Sequence, residues 1–298
     1  LGEVRNRGFE VSANWSDKIN KNLSYFVSGN FSYLKNWVSD IGVKNADGTS
    51  GVWTSDKTFR NLPYMIQSAE GKPLNSFYLI KTDGIFQSDE EAANYKNKDG
   101  KPIQPGAQAG DLKFVDYNGD GEISDEDRQY MGNAMPKTTF AFTLGVTWKK
   151  LSISAMFQGV GGAQALYVGK SMLLSDVEGS FNRSAEILNA WSPTNKGSDI
   201  PRLSKLDDNK NFTRPSDYFL ENSSYLRFKN LTVSYDLSDV FRKWSHLNER
   251  NSRLSVYFSG ENLVTFTGYS GMDPECGGWD ALKYPVSRVL SVGVKLTY

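Results

Sequence analysis

A period-two alternation of apolar with small or polar residues constrains this chain more than any other feature. Phe140, Phe142, Leu144, Val146 and Trp148 interleave with Ala141, Thr143, Gly145 and Thr147. The pattern returns in Phe9, Val11, Ala13 and Trp15, and in Tyr25, Val27, Gly29, Phe31 and Tyr33. It closes the chain in Leu290, Val292, Val294, Leu296 and Tyr298. Successive strand side chains point to opposite faces, so these segments read as strands with one apolar and one polar face. Val256 falls on the apolar face and Ser255 on the polar one. Nine strands are predicted, at 2–16, 22–37, 61–69, 74–86, 138–149, 151–160, 222–236, 253–264 and 288–298. Several are long enough to supply the roughly 9–11 tilted residues that cross a bilayer.

The connections between them alternate in length. Residues 17–21, 70–73, 149–150 and 237–252 make short or moderate turns, whereas 38–60, 87–137, 161–221 and 265–287 are long. Long connections are rare in compact soluble domains, and short turns at one end with long loops at the other mark a transmembrane antiparallel β-barrel. A soluble sandwich would have short connections at both ends and a packed inner face. Here the second face is Ser, Thr, Gly, Asn and Lys, which suits a wet lumen. The fold class is therefore all-β. Nine is an odd number, and single-chain bacterial barrels use even ones, so these strands are expected to form part of a larger barrel. The last strand is expected to run toward the short-turn side, which places Tyr298 in the periplasm.

Composition narrows the function classes. Lys plus Arg (34) equals Asp plus Glu (34), which removes the electrostatic case for a nucleic-acid partner. No apolar run approaches the roughly 20 residues of a membrane helix, and the first residues do not read as a signal peptide. The single cysteine, Cys276, allows no internal disulfide, and a free loop thiol is expected. The single histidine, His246, lies in a short-turn connection with no nucleophile or orienting acid in view. The stretch VGKS (168–171) fails as a phosphate loop because Gln164 stands where the motif needs its first glycine. No catalytic constellation emerges, and the chain is not expected to be an enzyme. Tyr33, Trp148, Tyr235 and Tyr298 sit near strand ends as candidate interfacial girdle residues. Trp53, Tyr167, Trp191, Tyr269 and Trp279 fall in long loops, where an aromatic either stacks on a sugar or packs its own loop.

One loop carries metal-ligand spacing. In DYNGDGEISDED, Asp116, Asn118 and Asp120 occupy positions 1, 3 and 5 of a calcium loop, and Gly121 occupies the sharp turn at position 6. Glu122 at position 7 offers its backbone carbonyl, and Asp127 stands at position 12, where calcium sensors have a bidentate Glu. Ile123 is placed to pin the loop on apolar neighbours. The competing reading is an Asx- and Gly-rich surface turn that binds nothing. A structural Ca²⁺ staple is the expectation, and it is a weak one because Asp is shorter than Glu.

Several stretches, in order along the whole chain, resemble the SusC/RagA family of TonB-dependent outer-membrane transporters. They are GEVRNRGFEVSANW (2–15), GKPLNSFYLIKTDGIFQSDEE (71–91), GDLKFVDYNGDGEISDEDRQYMGN (110–133), FQG (157–159), WSPTN (191–195) and IPRL (200–203). SDYFLENSSYLRFKNLTVSYDL (216–237), SGENLVTFTGYSGMDPE (259–275) and YPVSRVLSVGVKLTY (284–298) complete the series. The resemblance implies that residues 1–298 form the C-terminal part of a 22-stranded barrel whose N-terminal plug is absent from this chain. It also implies a cell outer-membrane location, a SusD-like surface lipoprotein as partner, and energy from the TonB complex through the missing N-terminal part. The implied cargo is oligosaccharide or peptide. Two other classes stay open: a surface glycan-binding outer-membrane protein without transport, and an envelope hydrolase on a barrel scaffold.

Overall fold

The computed structural model describes residues 2–42, 50–54, 58, 62–177, 182–245 and 252–297. His246 and Tyr298 lie outside the described residues. Seven antiparallel strands form one sheet: β1 (Glu3–Asn20), β2 (Leu23–Asp40), β3 (Thr138–Trp148), β4 (Leu151–Gly161), β5 (Tyr225–Asp236), β6 (Arg253–Thr267) and β7 (Val289–Thr297). Each pairs with its sequence neighbours, in the order β1 to β7 without a crossover. Seven is odd as well, so β1 and β7 run in the same direction.

Register makes the outward face continuous. Val27 pairs with Trp15 and Leu144, Leu144 pairs with Ala155, and Ala155 pairs with Leu231. Val233 pairs with Ile153 and Phe258, and Phe258 pairs with Val292. Phe142, Phe157 and Phe228 stack across three strands with ring centroids 4.9 and 4.6 Å apart. Val256 lies on this face, between Tyr235 and Val294, as its place in the alternation predicted. It is the fourth residue of β6, closer to the short-turn end than to mid-strand. The opposite face carries hydroxyls and amides, such as Ser28 donating to Asn14. Aromatics there need a partner without a side chain. Phe26 lies across Gly145, and a Cβ at that glycine would collide with its ring.

The strand count corrects the expectation of nine. The segments 61–69 and 74–86 do not enter the wall. Ile66–Ala69 and Ser76–Ile80 belong to a separate four-stranded sheet with Gly51–Trp53 and Arg128–Asn133. Thr82–Ile85 pairs instead with Leu112–Phe114. The physical reason lies in their burial. Phe77, Leu79 and Ile80 are all buried, so this strand lacks the solvent- or lipid-exposed face of a barrel strand. With both segments removed, residues 41–137 become one excursion between β2 and β3, and the short connection 70–73 is an internal turn of it. The excursions 41–137, 162–224 and 268–288 all leave the same end of the sheet, while 21–22, 149–150 and 237–252 turn at the other. The predicted alternation of connection lengths thus holds with seven strands.

Candidate functional site: the loop assembly at the long-loop end

The first two excursions fold against each other. Leu62, Met65, Phe77 and Leu79 from the first share a core with Leu166, Val168 and Phe219 from the second. A second cluster of Ile80, Leu112 and Phe114 holds Ile123, which fulfils its predicted pinning role.

The acidic loop sits on this second cluster. The Asp116 carboxylate accepts the Gly119 and Gly121 N–H groups at 2.6 and 2.9 Å. Gly119 and Gly121 both have positive φ (77° and 90°), which a residue with a Cβ rarely adopts. Asp120 accepts from the Glu122 N–H and from the Asn118 amide, each at 2.9 Å. Asp127 is fully buried and accepts the Tyr117 and Ser124 N–H groups at 2.8 and 2.7 Å. Ser124 caps the short helical turn Asp125–Asp127 in a reciprocal capping box with Asp127. The donor set is hard oxygen only, which suits calcium. Its carboxylates are also satisfied by the loop's own N–H groups, so the fold of the loop does not require a cation. Among the described residues no three His, Cys, Asp or Glu side chains are drawn together as a formed metal site. Beside the loop runs a cleft of about 640 Å³, lined among others by Lys101, Asp120, Glu122, Asp208 and Arg214. Arg214 stacks its guanidinium 4.7 Å from the Phe114 ring centre, and burial lowers its pKa.

The stretches that carry the family resemblance meet in space. Arg202 of IPRL donates from Nε and Nη2 to the two oxygens of Asp111 in GDLKF, at 2.7 and 3.1 Å. Asp111 is fully buried, and Asn211 also donates to it at 2.8 Å. Gly110 (φ +89°) lies flat against Trp191 of WSPTN, where any Cβ would strike the indole. Trp191 donates through its indole N–H to Gln87 at 3.2 Å. Nearby, Asp207 accepts from the Asn211 and Phe212 N–H groups and from the Thr213 hydroxyl. Burial nevertheless pushes its pKa up.

A third knot ties the last loop to the wall. Arg227 of β5 is nearly fully buried and donates to Thr265, Asp273 and Glu275 at 2.9, 2.6 and 2.8 Å. Lys170, from the rejected phosphate-loop stretch, ion-pairs with Glu221 at 2.6 Å, and Ser270 donates to the same carboxylate. Burial acts to raise the Glu221 pKa, but the Lys170 and Ser270 hydrogen bonds hold it below its ordinary value. Cys276 is a buried free thiol in the core of the last loop, and burial pushes its pKa up. Of the five loop aromatics, Tyr167, Trp191 and Tyr269 are buried and Trp279 packs at the rim of the first core. Trp53 alone among them is exposed, beneath the Arg128 guanidinium. Sequence reading did not single out Tyr117 and Tyr284, which are 62% and 84% exposed at this end.

No family model matches the chain. The chain is similar along its whole length to the TonB-dependent receptor P3 of Formosa agariphila, at 30% identity over 312 residues, which is 29% of that protein. It is 25% identical over 301 residues to the TonB-dependent receptor SusC of Bacteroides thetaiotaomicron, again along the whole chain and 27% of that protein. Among solved structures, the RagAB peptide transporter matches 99% of the chain and 29% of its own, with a TM-score of 0.73 at 25% identity. The chain thus spans less than a third of the length of these relatives.

Proposed function

Because the chain belongs to the SusC/RagA family of TonB-dependent receptors, we propose that it supplies the C-terminal part of an outer-membrane barrel for active nutrient uptake. Residues 1–298 act as one segment of the barrel with its loops. The long-loop end faces outward and the C-terminus lies in the periplasm. A SusD-like surface lipoprotein covers the loop assembly. TonB supplies energy through the N-terminal part of the full protein, and the cargo is an oligosaccharide or a peptide. The observation that carries this reading is the unbroken outward apolar face of seven strands, joined at one end to a folded polar loop assembly. Such a face has no packed partner here and suits lipid.

The test is uptake of labelled oligosaccharide and labelled peptide by cells carrying the full receptor, with and without TonB. TonB-dependent accumulation of one of them supports the reading. Surface binding with no accumulation in either background would favour the alternative, a glycan-binding outer-membrane protein without transport.

For the acidic loop, the proposed role is a Ca²⁺ staple built from Asp116, Asn118, Asp120, the Glu122 carbonyl and Asp127. The spacing of the oxygens along the sequence supports it, as does the tight turn that the Asp116 hydrogen bonds to Gly119 and Gly121 fix. An affinity of roughly 10⁻⁴–10⁻³ M, as in extracellular modules, is expected.

A further inference from the structure

The wall has a gap at its long-loop end. β3 joins β2 at the Thr138–Tyr33 pair, but β2 continues to Asp40 with β1 as its only wall neighbour. The Leu34 N–H donates to the Lys137 carbonyl, and the next backbone bonds on that edge join Val38 to Gly71 and Lys72. Between them a notch of about 360 Å³ remains, lined in part by Tyr33, Lys35, Trp37, Lys72, Tyr130 and Lys137. Strand alternation puts Tyr33, Lys35 and Trp37 on the outward face, directly continuing the band of Val27 and Phe31.

The charge of this notch is of one sign. Three lysines line it, no carboxylate does, and none of the three forms an ion pair among the described residues. Arg7, the register partner of Lys35, adds a cation beside it on the outward face, whereas Lys137 stands opposite Leu34 and borders the notch from the other face. Three buried or half-buried cations elsewhere at this end are neutralised: Lys170 by Glu221, Arg202 by Asp111, and Arg227 by Asp273 and Glu275. In the notch two of the three lysines lie beside aromatic rings. Lys72 Nζ is 4.9 Å from the Tyr130 ring centre, and Lys35 Nζ is 5.8 Å from that of Trp37.

Ammonium groups are compact charges that bind phosphate well, aromatic rings favour the membrane–water boundary, and basic pockets on membrane proteins take anionic headgroups. We propose that this notch binds the phosphate-bearing anionic headgroup of a membrane lipid, whose acyl chains lie on Phe9, Phe31 and Phe140. The inference rests on the reading that the outward face lies in a membrane. A soluble phosphate would use the lysines but gain nothing from the apolar band below them.

The test is native mass spectrometry of the folded full-length receptor in detergent, with phosphatidylglycerol as the probe and inorganic phosphate in a parallel arm. One phosphatidylglycerol is expected to be retained and to bind at least about tenfold more weakly to Lys35→Gln/Lys72→Gln/Lys137→Gln. Lys72→Gln alone, in an exposed turn, is expected to give a smaller loss, and Lys149→Gln at the other end none. Equal loss in Lys149→Gln, or no loss in the triple variant, would overturn the assignment. Inorganic phosphate that displaces the lipid at equal concentration would overturn it too, in favour of a soluble anion. Heat-modifiable gel migration reports whether each variant keeps its barrel. A wild-type receptor that fails to fractionate with membranes would sink the membrane reading itself, which separates the two failures.

Discussion

The wall and the loop assembly are built from similar residues by opposite rules. In β7, Leu290, Val292 and Val294 are 62%, 82% and 66% exposed, and in β1 Phe9 and Trp15 are likewise open. In the assembly, Phe77, Phe86, Phe114 and Phe219 are at most 1% exposed. The wall keeps its apolar groups outside and satisfies its backbone through strand pairing, as a structure must when its solvent is lipid. The assembly hides its apolar groups around three small cores, as a structure must in water. Strand content therefore says little about where a segment belongs. The degree of alternation says more.

That contrast is open to attack from both sides. The largest effect is expected from Phe77→Ala, at about 3–5 kcal/mol in the assembly core. Limited proteolysis should then cut residues 41–137 and 162–224 readily while heat-modifiable migration of the barrel persists. Joint loss of both would mean that the two regions fold as one unit. Next comes Leu144→Arg on the outward face, expected to cost roughly 2–4 kcal/mol near the membrane midplane. Thr143→Arg, one residue away on the opposite face, should cost far less. Similar values in a bilayer-folding titration would refute the assignment of faces.

A smaller effect should follow from acid. The Glu221 carboxylate has a lowered pKa in the fold, so its contribution is present above the unfolded value and is lost as pH falls through the folded one. Hydrogen exchange around Lys170, Glu221 and Ser270 should rise in that acidic window, and Glu221→Gln should remove the pH dependence. The smallest effect concerns the acidic loop. Calcium at millimolar levels should slow proteolysis of 87–137, and Asp120→Ala should abolish both that protection and the calorimetric heat. Identical cleavage with calcium and with chelator would leave the loop as a hydrogen-bonded turn.

The wall was legible because alternation is a local signal repeated over long strands. Its outward face and its alternating connections follow from Phe140 to Trp148 and their counterparts. Residues 61–69 and 74–86 misled because short apolar strands with a few alternating residues look alike in lipid and in a small core; Ser76–Ile80 differs in being buried at every position but the half-buried Tyr78. The knots of the assembly were not legible at all. Asp111 meets Arg202 across 91 residues, and Arg227 meets Asp273 across 46, with no periodicity to announce either. Yet Gly110, Asp111, Trp191 and Arg202 all lie in stretches that carried the family resemblance. Those motifs hold the loop assembly together, which gives their residue types a physical reason.

The orientation of the two regions is the point on which the proposed function turns. Single cysteines placed at Tyr117 in the assembly and at Lys21 in a short turn, both in a Cys276→Ser background of the full-length receptor, test it in intact cells. A membrane-impermeant maleimide should label the Tyr117→Cys receptor at once and the Lys21→Cys receptor only after the outer membrane is opened. Labelling of Lys21→Cys in intact cells, with Tyr117→Cys protected, would contradict the outward placement of the loop assembly.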